Sequence, residues 1–338
     1  MKEYIIHLEP KSSFETTLHS DTLFGAVCWG IRMLFGENRL LETIEAFSTD
    51  PPFFLSSAFP FRKNRHYLPM PVVEQKPHEV LGRFIGKMKV ERSYHSPKTG
   101  RIELIDEYKN FSKISHIEAP YFKKFLKSRN EAKLFQDYMD NLLKEPDFSL
   151  MHTVQKNSLD RLTLSTEGTG NTFYTSETSY REKYGLFFLL RCRDIEDTIM
   201  PVLRFLEDSG LGANARTGKN WFKIAWIDEK SLFGNDDGDG DSFVTLSRYI
   251  KNETLDIGKS YYKTVSVRSK VESRLEFAGE DIWKSRVTYV CAGSVITPLN
   301  KSNCYGRLAP VKTIHGKTIY QYGFAFPVWI KSGGKNEH

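Results

Sequence analysis

The chemistry in this sequence is densest in Gly210-Leu211-Gly212-Ala213-Asn214-Ala215-Arg216-Thr217-Gly218-Lys219-Asn220, where glycines alternate with cations and amides. Glycine-rich backbone beside a lysine can cradle phosphates. A nucleotide-hydrolase loop needs four residues between its glycines, whereas Gly212 and Gly218 enclose five, and Asn220 stands where a Ser or Thr would hold magnesium. That loop also follows a strand and opens a helix; here the expected order is helix, loop, strand. Nucleotide hydrolysis is excluded. What remains is a loop whose backbone N–H groups, with Arg216 and Lys219, suit a phosphate chain, or a plain helix-to-strand connection.

Other constellations are weaker. In His19-Ser20-Asp21-Thr22 a His and an Asp could share a proton. Helix capping explains Ser20 and Asp21 without chemistry. Asn157-Ser158-Leu159-Asp160-Arg161-Leu162-Thr163 is a hydroxyl-rich segment with an internal Asp-Arg pair. It could project side chains into a groove, or simply hold a turn. The nine His show no HxxxH or HxH spacing, and Cys28, Cys192, Cys291 and Cys304 lie far apart with no CxxC pair. Neither a zinc site nor a disulfide framework is expected, and free thiols in a reducing cytosol follow. Asn235 to Leu246 begins like a calcium loop, but Leu246 stands where a bidentate Glu is required.

These groups must be held by a chain of 338 residues, 40% of them apolar and 13% aromatic, enough for two domains or one large domain with insertions. No apolar run reaches the roughly 18 residues of a membrane span, and the first residues do not read as a signal peptide. The net charge of +6 is uneven: between Arg83 and Lys133 there are 13 Lys or Arg and 6 Asp or Glu. Phe84, Gly86, Tyr94, Tyr108, Phe111, Tyr121 and Phe122 interleave with them. Such a stretch serves either as a nucleic-acid surface, with bases on the rings, or as a solvated insertion.

Alternation predicts a first strand over Met1 to Glu9. A helix then runs from a cap at Ser20-Asp21-Thr22 through Leu23, Val27, Ile31 and Leu34 to Gly36. A second helical stretch stops at Pro51-Pro52, and short extended pieces surround Phe53-Phe54-Leu55 and Tyr67 to Pro71. One amphipathic helix is predicted over Tyr121 to Leu143. A hairpin turns near Gly168-Thr169-Gly170-Asn171. A buried strand follows at Gly185 to Cys192, a helix at Asp197 to Ser209 and a strand at Trp221 to Ile227. The order strand-helix-strand-strand-helix-strand is that of a ferredoxin-like or RRM-like fold. Further strands are expected at Phe243 to Leu246, Tyr261 to Val267, Arg286 to Cys291 and Tyr320 to Trp329. The fold class is thus α+β: two ferredoxin-like domains, with a Gly-rich loop, a basic helical insertion and a hairpin thumb. The first domain spans 1–230, with the insertion near 78–150 and the thumb near 151–182. A solvated acidic linker covers 231–241, and a degenerate second domain of similar build covers 242–338.

Taken together, the ordered segments resemble a known family. His19-Ser20-Asp21-Thr22-Leu23-Phe24-Gly25-Ala26 is similar to the opening of the RAMP-type subunit four of type III-A, or Csm, CRISPR effector complexes. Pro51-Pro52-Phe53 through Pro60, Ser158-Leu159-Asp160-Arg161-Leu162-Thr163, the Gly210-Leu211-Gly212 loop and Tyr322-Gly323-Phe324-Ala325-Phe326-Pro327-Val328 follow in the family's order. Where such loops often end Gly-x-Gly, this one has Lys219-Asn220, so a lysine contact to RNA is expected there.

The resemblance implies a non-catalytic subunit without a cofactor, placed in the cytoplasm. It would cap the guide RNA at its 5′ repeat-derived tag, dock on the large polymerase-like subunit, abut the backbone RAMP subunit, and meet target RNA only indirectly. His19, Ser20, Asp21 and Thr22 would present the first helix's N–H groups and hydroxyls to phosphates. Gly210, Gly212, Asn214, Arg216, Gly218 and Lys219 would hold the tag. Lys87, Lys89 and Arg92 would add charge, and Ser158, Asp160, Arg161 and Thr163 would wedge beside splayed bases, with Tyr174 as a stacking platform. Two rivals stand beside this: a metal-independent RNase using His19 or His152, and a protein-only adaptor.

Overall fold

The computed structural model describes residues 1–74, 80–82, 84, 97–160, 162–166, 171–212, 217–234, 240–271 and 280–330. It is a mixed α/β fold in which all strand pairing is antiparallel. The main sheet contains β1 (Lys2–Pro10), β2 (Phe53–Leu55), β3 (Phe59–Arg62), β4 (Arg65–Pro69), β5 (His116–Glu118), β8 (Gly185–Cys192) and β9 (Phe222–Glu229). Its order is β5-β4-β3-β8-β1-β9, with β2 also on β8.

Alternation along β1 and β8 builds two cores, because successive side chains leave opposite faces of the sheet. Tyr4, Ile6, Leu8, Leu186, Phe188 and Leu190 face one layer; Ile5, Phe187 and Leu189 face the other. The first layer is made by α1 (Ser20–Ala46) and α5 (Ile199–Ser209), which bury Leu23, Phe24, Val27, Ile31, Val202, Leu203 and Leu206. At their crossing a Cβ on Gly30 would lie 2.6 Å from Val202 Cγ1, so only glycine permits the approach. Gly36, at φ 87, breaks α1 where the sequence ends its first helix.

The second layer comes from the basic insertion: α2 (Pro97–Phe111), α3 (Ala119–Ser128) and α4 (Glu131–Met139). The single helix predicted over Tyr121 to Leu143 is therefore two. Arg129 takes φ 45 and Asn130 accepts a hydrogen bond from Lys133 N, which ends one helix and caps the next. Phe84, Tyr108, Phe111 and Phe122 are buried in this core, with Tyr121 packed partly against it. The stretch is neither a row of free rings for bases nor a purely solvated insertion: Phe84, Tyr108 and Phe111 pack on Phe135, and Phe122 on Phe233; Gly86 and Tyr94 lie outside the described residues.

The hairpin of β6 (Ser149–Ser158) and β7 (Asn171–Tyr180) pairs ten positions in continuous register. The later chain contributes β10 (Ser242–Thr245), β11 (Thr264–Val267), β12 (Val287–Val290), β13 (Val295–Ile296), β14 (Ala309–Ile314), β15 (Lys317–Gln321) and β16 (Pro327–Ile330). The strand expected over Tyr320 to Trp329 is thus two, separated by residues whose rings turn into a core: Tyr322 and Phe324 complete the α1–α5 layer, and Phe326 joins the insertion's layer. The named elements of this later part are all strands. Nor are the ends of the acidic segment purely solvated, since Leu232 and Phe233 pack on the insertion's core and Gly240 is buried; residues 235–239 lie outside the described set. All four cysteines are free thiols. Among the described residues no helix is long and apolar enough to cross a membrane.

The face of β1 toward the insertion also buries His7, which stacks on Trp226 with ring centroids 4.1 Å apart and meets His66 Nε2 through its own Nε2 at 2.8 Å. Burial lowers both imidazoles from 6.5 to about 4, and the His116 imidazole to about 4. In these groups the folded pKa lies below the unfolded one, so the unfolded chain binds more protons between those values. Stability is therefore complete above about pH 6.5 and lost as pH falls toward 4. Urea midpoints measured at pH 7.5 and pH 5 should show the lower value at pH 5; equal midpoints would refute the linkage.

Candidate nucleic-acid interface

The Gly-rich loop leaves α5 at Gly210 (φ 74) and passes Gly212 (φ 78) and Gly218 (φ 77) to Asn220 (φ 59). Positive φ at these positions is what the sequence needs glycine for, and Asn tolerates it best among other residues. The loop closes on itself and on the chain after β1: Leu211 N donates to Asn220 O, Asn220 N to Ser13 O, and Glu15 N to the Asn220 carboxamide oxygen. A Cβ on Gly212 or Gly218 would meet nothing within 4 Å, so both glycines face open space. Asn214 and Arg216 lie outside the described residues, as do Lys87, Lys89, Arg92 and Arg161.

Lys219, expected to contact RNA, is engaged within the protein. Its Nζ stands 2.6 Å from Glu177 Oε2 and donates to Ser13 Oγ at 3.0 Å. Glu177 lies on β7 with 1% exposure and also accepts from Ser13 Oγ at 2.6 Å. Lys156 of β6 pairs with Glu15 and lies 3.6 Å from Glu177 Oε1; His152 Nε2 is 3.9 Å from Oε2. Burial pushes the Glu177 carboxyl up, but the hydrogen bonds from Lys219 and Ser13 and the two lysine charges outweigh it, and the group sits below its ordinary value. Sequence reading missed Glu177. The available signal was its isolation, since it is the one charged residue from Asn171 to Tyr180.

Above this base the hairpin faces water. Phe173 and Tyr174 are exposed, at 42% and 68%, and Leu162 near the tip is 94% exposed. Asp160 is a turn holder: its Oδ1 accepts from Leu162 N at 2.7 Å and Thr163 N at 3.1 Å. Thr163 Oγ1 meets Ser165 Oγ at 3.2 Å, and Ser158 closes the ladder opposite Asn171. Thumb and Gly-rich loop are thus brought together through Glu177.

The start of α1 is engaged elsewhere. The N-cap is His19, whose side chain makes no capping bond, so Ser20 and Asp21 are not the expected caps. Ser20 is buried; its Oγ donates to Arg248 O and accepts from Arg248 N. Asp21 pairs with the Arg248 guanidinium at 3.6 Å and accepts from Gln321 at 3.2 Å. Burial first, then Arg248, lowers His19 to about 3, a neutral imidazole at neutral pH. Thr22 is half-buried one position further along.

No family model matches the chain. CRISPR system Cms protein Csm4 of Thermococcus onnurineus (strain NA1) is 25% identical over 329 residues, 96% of each chain. The chain resembles the fourth Csm subunit over its whole length. Its fold is shared with solved structures. A crystal structure of a Csm1-Csm4 cassette in complex with pppApA matches with TM-score 0.57 at 20% identity, covering 99% of this chain and all of that one. A Csm3-Csm4 subcomplex of the type III-A CRISPR-Cas interference complex matches with TM-score 0.57 at 18% identity, covering 95% and 99%.

Proposed function

We propose that the chain is a non-catalytic subunit of a type III-A CRISPR effector that caps and grips the 5′ tag of the guide RNA. The observation that carries this is the juxtaposition of an open-faced Gly-rich loop with a hairpin whose aromatic and apolar side chains face water, in a chain resembling Csm4 from end to end. Phosphates would lie along the loop, with Asn214 and Arg216, while Tyr174 offers its ring to an unpaired base. Lys87, Lys89 and Arg92 would extend the positive surface, and the tip from Ser158 to Thr163 would wedge beside a splayed base. With Lys219 paired to Glu177, Arg216 would be the loop's cation for the tag.

The order β9-β1-β8-β3, with α1 and α5 on one face, supports reading residues 1–230 as ferredoxin-like. Residues 242–338 would form its degenerate partner, sharing both cores. The pairing of Csm4 with Csm1 and with Csm3 in the related structures supports the large subunit and the adjacent backbone subunit as partners. On this reading target RNA would be met only indirectly and the protein would act in the cytoplasm. A half-buried His19 with a neutral imidazole, next to Ser20 and Asp21 that are bonded to Arg248, supports the non-catalytic reading over an RNase.

The test is crosslinking of a guide RNA carrying photoreactive uridines in its 5′ tag, in the complex purified with its neighbours. Crosslinks to 158–163, 171–178 or 210–220 are expected. An intact complex with none at these positions would make the protein an adaptor that does not touch RNA.

A further inference from the structure

Glu177 holds a position that neither stability nor RNA contact explains. Burying a carboxylate with two lysines is seldom more stable than apolar packing, because desolvation cancels much of the attraction. Yet this carboxylate joins three segments: the thumb strands through Lys156 and its own β7, the chain after β1 through Ser13, and the Gly-rich loop through Lys219. At this level β7 is also tied to the chain after β1 by the bridge between Phe14 and Thr178, with backbone bonds of 2.8 and 2.7 Å, and β6 is tied to it by the Lys156–Glu15 pair. Lys219 carries the contact from Glu177 to the loop.

Geometry makes the base of this ribbon decisive. At about 3.3 Å per residue the ladder from Glu177 to its far end at Asn171 extends about 20 Å, so a turn of about 10° at Glu177 moves that end by about 3.5 Å. A shift of that size is about one step between stacked bases. We propose that Glu177 is a positioning residue: by holding Lys219 it sets the angle of the thumb to the Gly-rich loop, and so which nucleotide of the tag meets the thumb. This inference rests on the RNA-capping reading above.

The experiment compares, within one sample, crosslinks from the tag of a photoreactive guide RNA to residues 171–178 and to 210–220, in the assembled complex. Glu177→Gln keeps the shape and removes the charge; Lys219→Met removes the other end of the pair from a more exposed site. Lys219→Arg keeps a cation there. The ratio of thumb to loop crosslinks should fall at least about five-fold in both Glu177→Gln and Lys219→Met and stay at the wild-type value in Lys219→Arg. If Glu177→Gln does not assemble, Lys219→Met decides. Unchanged ratios, or a parallel loss at thumb and loop, would overturn the positioning role while leaving RNA capping standing. A wild-type complex with crosslinks at neither place would overturn both.

Discussion

Arg248→Ala should cost about 3 kcal/mol of folding stability, because it leaves the Asp21 carboxylate buried without its cation. The Asp21 side chain is 6% exposed and that of Arg248 17%, so water cannot replace the guanidinium well. Asp21 Oδ1 has no hydrogen-bond partner of its own, which puts its charge balance on that ion pair. Backbone bonds from Ser20 to Arg248 survive the change, so the corner keeps its shape and the lost energy is chiefly electrostatic. Denaturant unfolding measures it. Combining Arg248→Ala with Asp21→Asn should recover more than half of the loss; a single-variant effect below about 1 kcal/mol would show that the pair is not what holds Asp21.

A second large effect is expected at Phe122→Ala, at about 3–5 kcal/mol, the usual range for removing a fully buried ring. Phe122 is 0% exposed on α3, which packs on β4 and β16, and its ring lies 5.8 Å from that of Phe233. Lys127→Ala, on the exposed side of the same helix, should stay within about 0.5 kcal/mol. The contrast measured by urea denaturation separates a core element from a solvated appendage. Equal, small effects would return the insertion to the role of an appendage.

That insertion shows what could be read in the sequence and what could not. Strands β1 and β8 were legible because alternation and a continuous apolar run report burial directly, and α5 because its apolar face repeats at helical spacing. The insertion's aromatics are equally compatible with stacking on bases and with a core, since ring type carries no information on which partner arrives. Only the sheet's second face, invisible in one dimension, decides for the core. The break at Arg129 was hidden for another reason: a left-handed Arg has no sequence signature as strong as glycine's.

At the site, the Gly-rich loop was legible through its glycines, each of which takes positive φ for a turn that other residues adopt poorly. Lys219 was visible as a cation, but its partner lies 42 residues earlier in the chain, on a strand otherwise made of neutral residues. Ser20 and Asp21 were legible as a helix start, while their bonds to Arg248 and Gln321 span more than 200 positions. Local pattern identifies what a residue can do; long-range pairing decides what it does.

The placement of Tyr322 and Phe324 inside the α1–α5 core has a consequence for biosynthesis. Tyr322 OH accepts the Leu55 N–H at 3.0 Å, and Phe24 and Phe47 pack on the same two rings. A ribosome releases the first fifty residues long before it makes those tyrosine and phenylalanine side chains. The nascent amino-terminal layer must therefore wait with an open apolar seam until the late strands emerge. Premature termination before residue 320 would leave that seam exposed for good, a surface for chaperones and proteases to find.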